Sequence, residues 1–310
     1  MALVDRRQAI LGGAGALVAF GLGAIAARSR RKGATPFTPL PPGGPRDLEV
    51  LDWTFPTPDG ERRVVVLVPR PLPAGQKLPL LVALHGRGET ASPRAGAYGW
   101  LESYRLDRSY AALRSPPLTA EPFEGFVRQD RLARLNADLT ARAFGGLVVA
   151  CPALPPEIGG AMYDRYASFL GDALLPRLRK ETPVIGTKES TGIDGVSLGG
   201  ISALRMGISR PDLFGVIGAL QPAIIEDPPE GHVVDAIVKG LAGRPLRLVT
   251  SDDDYYYPAV TKASARLTEL GVSHQLLVTM GPHDYAWNRG PGGIEMLLYH
   301  DRVLRGLPAV

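Results

Sequence analysis

The chain has 310 residues, 45% of them hydrophobic, which is enough for one large core. Its formal charge of +4 is unevenly placed: residues 1–32 hold six basic side chains against Asp5 alone, and the remainder carries 29 basic and 30 acidic residues. The main body is therefore near neutral, which removes the electrostatic reason to expect a nucleic-acid partner, and the single cysteine, Cys151, excludes an intramolecular disulfide.

Taken in chain order, the N-terminus reads as an address. Arg6 and Arg7 precede a weakly apolar run rich in Ala and Gly that extends to Ala27, and RSRRK follows. A basic start, an apolar centre and small residues are the parts of an export signal, and the paired arginines resemble a twin-arginine signal. The expectation is delivery by export machinery to the periplasm or beyond, with residues 8–27 long enough to anchor the chain in a membrane if the signal is not cleaved. Residues 33–47, GATPFTPLPPGGPRD, are rich in Pro and Gly and read as an extended linker, so the folded domain is expected over 48–310.

Within that domain, short apolar runs alternate with longer helical patterns. Strands are predicted at 51–55, 62–69, 78–86, 145–152, 192–197, 215–220, 245–251 and 274–280. They are rich in Val, Leu and Ile on both faces, as buried parallel strands should be. Cys151 closes one of them and reads as a buried thiol. Helical spacing covers 162–178, 197–210, 232–243 and 258–271, each closing near a Gly or Pro or at a charged end. The alternation predicts an α/β fold with a mostly parallel central sheet of about eight strands and helices on both faces. Residues 87–144 break the rhythm and are expected to form a cap-like insertion on the substrate side, its last part a single helix.

Gly195-Val196-Ser197-Leu198-Gly199 matches G-x-S-x-G, and it stands between a strand pattern and a helix pattern. That context makes it a strand-turn-helix elbow with Ser197 as nucleophile. A serine hydroxyl needs a base to take its proton. His274 begins a strand pattern, His300 lies in a helical pattern and His232 sits near a helix start, so all three read as structural. His283, in GPHDYAW, follows the last strand directly, where α/β sheets display reactive groups, and is the candidate base. The base needs a carboxylate to fix its tautomer. SDDDYYYP, at the end of the preceding strand, offers one.

From about 60 to 305 the chain resembles the α/β-hydrolases, and within them the esterase D-like group. LLVALHGRG, DGVSLGG and GPHDYAW fall where that group has its oxyanion loop, elbow and base. The order nucleophile, acid, base along the chain is also theirs. The resemblance implies the α/β-hydrolase fold, hydrolysis of carboxylic esters and no cofactor or metal. Ser251, the acid and Pro258 fit the family's spacing if the acid is Asp254, with Asp253 as the alternative. His85-Gly86-Arg87-Gly88 fits the oxyanion loop, so the backbone N–H groups of Leu198 and Arg87 are the expected donors, with Gly86 beside them and His85 bracing the loop. Tyr98, Trp100 and Tyr255 are candidates for lining a pocket around a small-molecule or polymer-linked ester. A serine peptidase or acyltransferase would use the same three residues, and a non-catalytic binding protein on this fold would keep their geometry without reacting.

Overall fold

In a computed structural model, the described residues are Leu40, Gly44, 47–225 and 231–310, with side chains omitted at 231–233. The segments expected to be an export signal and most of a linker lie outside them. The strands are β1 Leu48–Thr57, β2 Gly60–Pro69, β3 Leu80–Leu84, β4 Val148–Pro152, β5 Thr191–Gly195, β6 Val216–Leu220, β7 Leu246–Asp253 and β8 Gln275–Pro282. The α-helices are α1 Pro93–Tyr98, α2 Leu106–Arg114, α3 Gln129–Ala141, α4 Ala161–Phe169, α5 Leu175–Glu181, α6 Leu198–Ser209, α7 Gly231–Gly240, α8 Tyr257–Glu269, the short turn α9 Tyr285–Trp287, and α10 Gly293–Leu304.

All eight strands join one sheet in the order β1-β2-β4-β3-β5-β6-β7-β8. β1 and β2 are antiparallel to each other, and β2 is antiparallel to β4. From β4 to β8 every pairing is parallel. After β3 the chain goes to one side to form β4, then returns to the other to form β5. The crevice at such a reversal is where open α/β sheets bind ligands.

The inner strands run as largely unbroken apolar stretches because both faces are covered, whereas the edge strands β1 and β8 keep exposed positions. Val64, Val66, Leu80, Val82 and Leu84 face a core closed by α4, α5, α6, α7 and α8. The alternating residues Val65, Leu67, Leu81 and Ala83 face a second core closed by α1, α2, α3 and α10. The helical stretch expected over 162–178 is two α-helices joined by a π turn at Leu170–Leu174. Cys151 is buried in the second core, where desolvation pushes its thiol pKa up.

Two segments contribute to the core beyond what the sequence suggested. Within residues 87–144, Trp100, Tyr104, Leu106, Tyr110, Leu113, Leu135 and Leu139 are all buried in the second core, so these parts of the segment form the helical layer of one sheet face. The run before residue 48 is not wholly free of the domain. Leu40 is buried beside Tyr110, and the Gly146 backbone fits against it only because that position lacks a Cβ.

Leu81 is fully buried and sits in the strand flanked by β4 and β5. Leu81→Ala is expected to lower unfolding free energy by about 2–5 kcal/mol, through lost transfer energy and the cavity it leaves. Urea denaturation checks this.

Candidate active site

β5 ends at Gly195 and α6 begins at Leu198, so the turn between them is carried by Val196 and Ser197. Ser197 has φ +57° and ψ −115°, a conformation that a residue with a side chain rarely adopts. Its neighbours hold it there. Val196 N–H donates to Leu84 O at 3.1 Å, Ser197 N–H to Leu220 O at 2.9 Å, and Ala223 N–H to Ser197 O at 3.1 Å. The flanking glycines have steric reasons. A Cβ on Gly199 would stand 2.3 Å from Leu84 O, and one on Gly195 would stand 2.6 Å from the Gly199 backbone. The motif is thus a close approach of α6 to the end of β3, and it aims Ser197 at the crevice between β3 and β5.

His283 follows β8. Its Nδ1 lies 2.9 Å from Asp254 Oδ1. Asp254 follows β7, its side chain fully buried. Asp254 Oδ1 also accepts from Tyr256 N–H at 2.9 Å, and Oδ2 accepts from the Thr250 hydroxyl at 2.9 Å. Asp253, the alternative acid, is exposed and does not meet the imidazole. Asp284 caps the next turn by accepting from Trp287 N–H at 2.9 Å, and Trp287 Nε1–H donates to Thr279 on β8 at 2.8 Å. The His283 loop is therefore fastened at both ends. Nδ1 is the donor to Asp254 in the neutral ring, which leaves Nε2 as an acceptor. Among the described residues no hydrogen bond joins Ser197 to His283. This contact is commonly loose before substrate binds.

Beside the elbow runs the loop after β3. Gly86 packs so closely on the serine that a Cβ there would lie 3.8 Å from Ser197 Cβ. Gly86 N–H is not available as an oxyanion donor, because it donates to the Tyr104 hydroxyl at 3.0 Å. Tyr104 in turn donates to the buried carboxylate of Glu89. Burial and the Glu89 charge hold the Tyr104 hydroxyl well above its ordinary pKa, so it stays a donor. Tyr285, two residues past His283, also reaches Glu89, and burial raises its hydroxyl with help from that bond. The N–H groups of Arg87 and Leu198, in contrast, donate to no backbone acceptor among the described residues.

His85 braces this loop. It is fully buried, its Nδ1 2.7 Å from Gly86 O, and its Nε2 accepts from Leu154 N–H at 2.8 Å. Desolvation pushes its pKa down to about 4. His300 is buried against Asp194 at 2.9 Å behind the elbow, and His274 bonds Ser264 and the Val272 carbonyl. The His232 side chain lies outside the described residues.

Of the pocket candidates, Tyr255 stacks on the His283 ring at 4.4 Å between centroids and is 68% exposed. Trp100 does not line the site: it is fully buried and packs on Tyr104 at 4.9 Å. Tyr98 is turned to β1, where its hydroxyl donates to Asp52 at 2.9 Å and Arg63 and Arg94 lie over its ring. Both belong to helical turns whose apolar side faces the sheet. Glu89 and Tyr285 went unnoticed in the sequence, where a polar residue in a Gly-rich loop carries no periodic signal. Tyr285 stood beside the candidate base and was the more findable of the two.

Comparison with known proteins agrees with this architecture. Residues 154–244, which include β5, the elbow and β6, match a family described as putative esterase. The iron(III) salmochelin esterase of Escherichia coli O6:H1 is 28% identical over 144 residues, an alignment that covers 38% of this chain and 32% of that protein. The chain thus spans about a third of the curated relative it matches. Among solved structures, the S-formylglutathione hydrolase of Staphylococcus aureus is similar with a TM-score of 0.59 at 13% identity, covering 82% of this chain and 99% of that one. A ferulic acid esterase is similar with a TM-score of 0.62 at 19% identity, covering 83% and 99%. The enterobactin esterase of Shigella flexneri gives 0.53 at 16% identity, covering 84% and 63%. The fold is that of the α/β-hydrolases.

The depressed pKa of His85 has a consequence for stability. The unfolded chain protonates this imidazole below about pH 6.5, whereas the folded protein does so only near pH 4. Its contribution is present in full above the unfolded value and is lost as pH falls through that window, to the extent of about 3 kcal/mol. Urea unfolding at about pH 7 and about pH 4.5 should show this loss in the wild type and a smaller one in His85→Gln.

Proposed function

We propose that the protein is a serine esterase that cleaves carboxylic esters through an acyl-enzyme intermediate on Ser197, His283 and Asp254. The observation that carries the reading is the 2.9 Å contact between His283 Nδ1 and buried Asp254, placed at the ends of β7 and β8, on the same sheet edge as the strained Ser197. In this reading His283 Nε2 takes the Ser197 proton as Oγ attacks the acyl carbon. The N–H groups of Leu198 and Arg87 receive the oxyanion, and His283 returns the proton to the departing alcohol. Water then attacks the acyl-enzyme with His283 again as base. Asp254, bonded to Nδ1, orients the ring and steadies the imidazolium.

The rim supports an ester with a flat or apolar portion. Tyr255, exposed on the His283 ring, and Tyr285, 46% exposed, offer ring faces beside the reacting groups. The names of the similar proteins, esterases of ferulic acid, enterobactin and iron(III) salmochelin among them, favour an ester substrate.

The reading includes export. Arg6-Arg7 and the apolar run behind them support delivery across a membrane, with anchoring by residues 8–27 where the signal is retained. Cell fractionation and mass spectrometry of the mature N-terminus test this, and an Arg6→Lys/Arg7→Lys variant should accumulate inside the cell.

Hydrolysis of p-nitrophenyl esters and labelling by a fluorophosphonate test the chemistry. Ser197→Ala should abolish labelling, and Asp254→Asn should lower kcat on the order of 10³–10⁴-fold with little change in thermal stability. A wild-type protein that neither labels nor hydrolyses would sink the proposal.

A further inference from the structure

We infer that Gln221 is a positioning residue that sets the nucleophile and the base of this site against each other. The inference rests on the triad reading above, because it assigns a task to a side chain that touches none of the reacting atoms.

Gln221 is the first residue after β6 and is fully buried. Its φ is +39°, an unusual conformation for glutamine, and its N–H donates to Val249 O on β7 at 2.6 Å. The preceding carbonyl, Leu220 O, accepts the Ser197 N–H, and two residues later Ala223 N–H donates to Ser197 O. Gln221 therefore stands inside the short clasp that grips the serine backbone from both sides.

Its side chain leaves that clasp for the other half of the site. Nε2 donates to Ser251 Oγ at 2.6 Å and to Pro282 O at 3.1 Å. Ser251 lies on β7 three residues before Asp254, and Pro282 immediately precedes His283. One amide thus ties together three strand ends: the clasp on the nucleophile, the strand that carries the acid, and the peptide that carries the base. These groups approach from β6, β7 and β8, and no other side chain among the described residues bonds to both Ser251 Oγ and Pro282 O.

The tie is not explained as a stabilising device alone. The amide Oε1 is buried with no donor among the described residues. An unsatisfied buried acceptor costs free energy, and an apolar side chain of similar length would avoid that cost. The strained φ adds to it. Both are tolerated where the two N–H bonds are needed for placement. Since no hydrogen bond links Ser197 to His283 in the free protein, the separation of the two loops is the quantity such a tie would govern.

Gln221→Met keeps the length and removes both donors. We expect a folded protein with KM within about two-fold and kcat per titrated active site reduced by about ten-fold or more, because small displacements of a reacting group are costly in rate. The low-field Nδ1 proton resonance of His283, identified by its loss in His283→Ala, should shift or broaden. A merely structural glutamine would lower Tm and the titrated fraction and leave kcat per site and the resonance as they were, and that result overturns the inference. If Gln221→Met does not fold, Ser251→Ala removes one of the two acceptors, and an unchanged resonance and kcat in that variant overturn it equally. If the wild type proves to lack esterase activity, the triad reading falls on its own. The resonance then decides alone whether Gln221 places the His283 loop.

Discussion

The site depends on holding one backbone where it would not rest by itself. A serine at φ +57° and ψ −115° costs on the order of 1–3 kcal/mol, and the conformation persists only if its surroundings leave no alternative. Here the peptide groups on either side of Ser197 are bonded to two different strands, β3 and β6. Glycines at 195 and 199 allow α6 to press against the β3 end. The central sheet is what makes this possible. Because β3, β5 and β6 are buried on both faces, their ends are fixed in space, and the strained turn inherits that rigidity.

The histidines show how environment assigns a role to a common side chain. His85 has both ring nitrogens engaged and is kept neutral by burial, so it serves as a strut. His300 faces Asp194 in the dry interior behind the elbow. Among the described histidine side chains, His283 alone combines a buried carboxylate on one nitrogen with partial exposure at a strand end. The same distinction separates the acids. Asp253 and Asp254 are neighbours in sequence, yet the chain leaving β7 turns one to solvent and gives the other three donors.

Much of the fold was legible because its signals are redundant. The inner strands were visible as apolar runs, since a strand covered on both faces has no polar side to interrupt it, and the edge strands β1 and β8 were visible despite their exposed positions. The elbow was visible because its glycines are sterically required, and His283 because it directly follows a strand. The segment 87–144 was less legible. Its aromatics suggested a pocket, but Trp100 was responding to the apolar side of a sheet several elements away in the chain. Gln221 and Glu89 were invisible for the opposite reason. Each is a single polar residue whose meaning comes from partners 15 to more than 60 positions distant or on another strand, such as Tyr104 for Glu89 and Pro282 for Gln221. No local pattern encodes such a bond.

The bond from Leu154 N–H to His85 has an implication for how this scaffold tolerates change. It couples the connection leaving β4 to the peptide that precedes the candidate oxyanion donor, so the two segments move as one lever. A loop of altered length grafted at 155–160 would not act only through whatever it adds to the surface. Any tension it placed on Leu154 would be passed through the imidazole ring to the amide at Arg87. Swapping that connection between homologous scaffolds would therefore alter turnover, even where the grafted residues never approach the ligand.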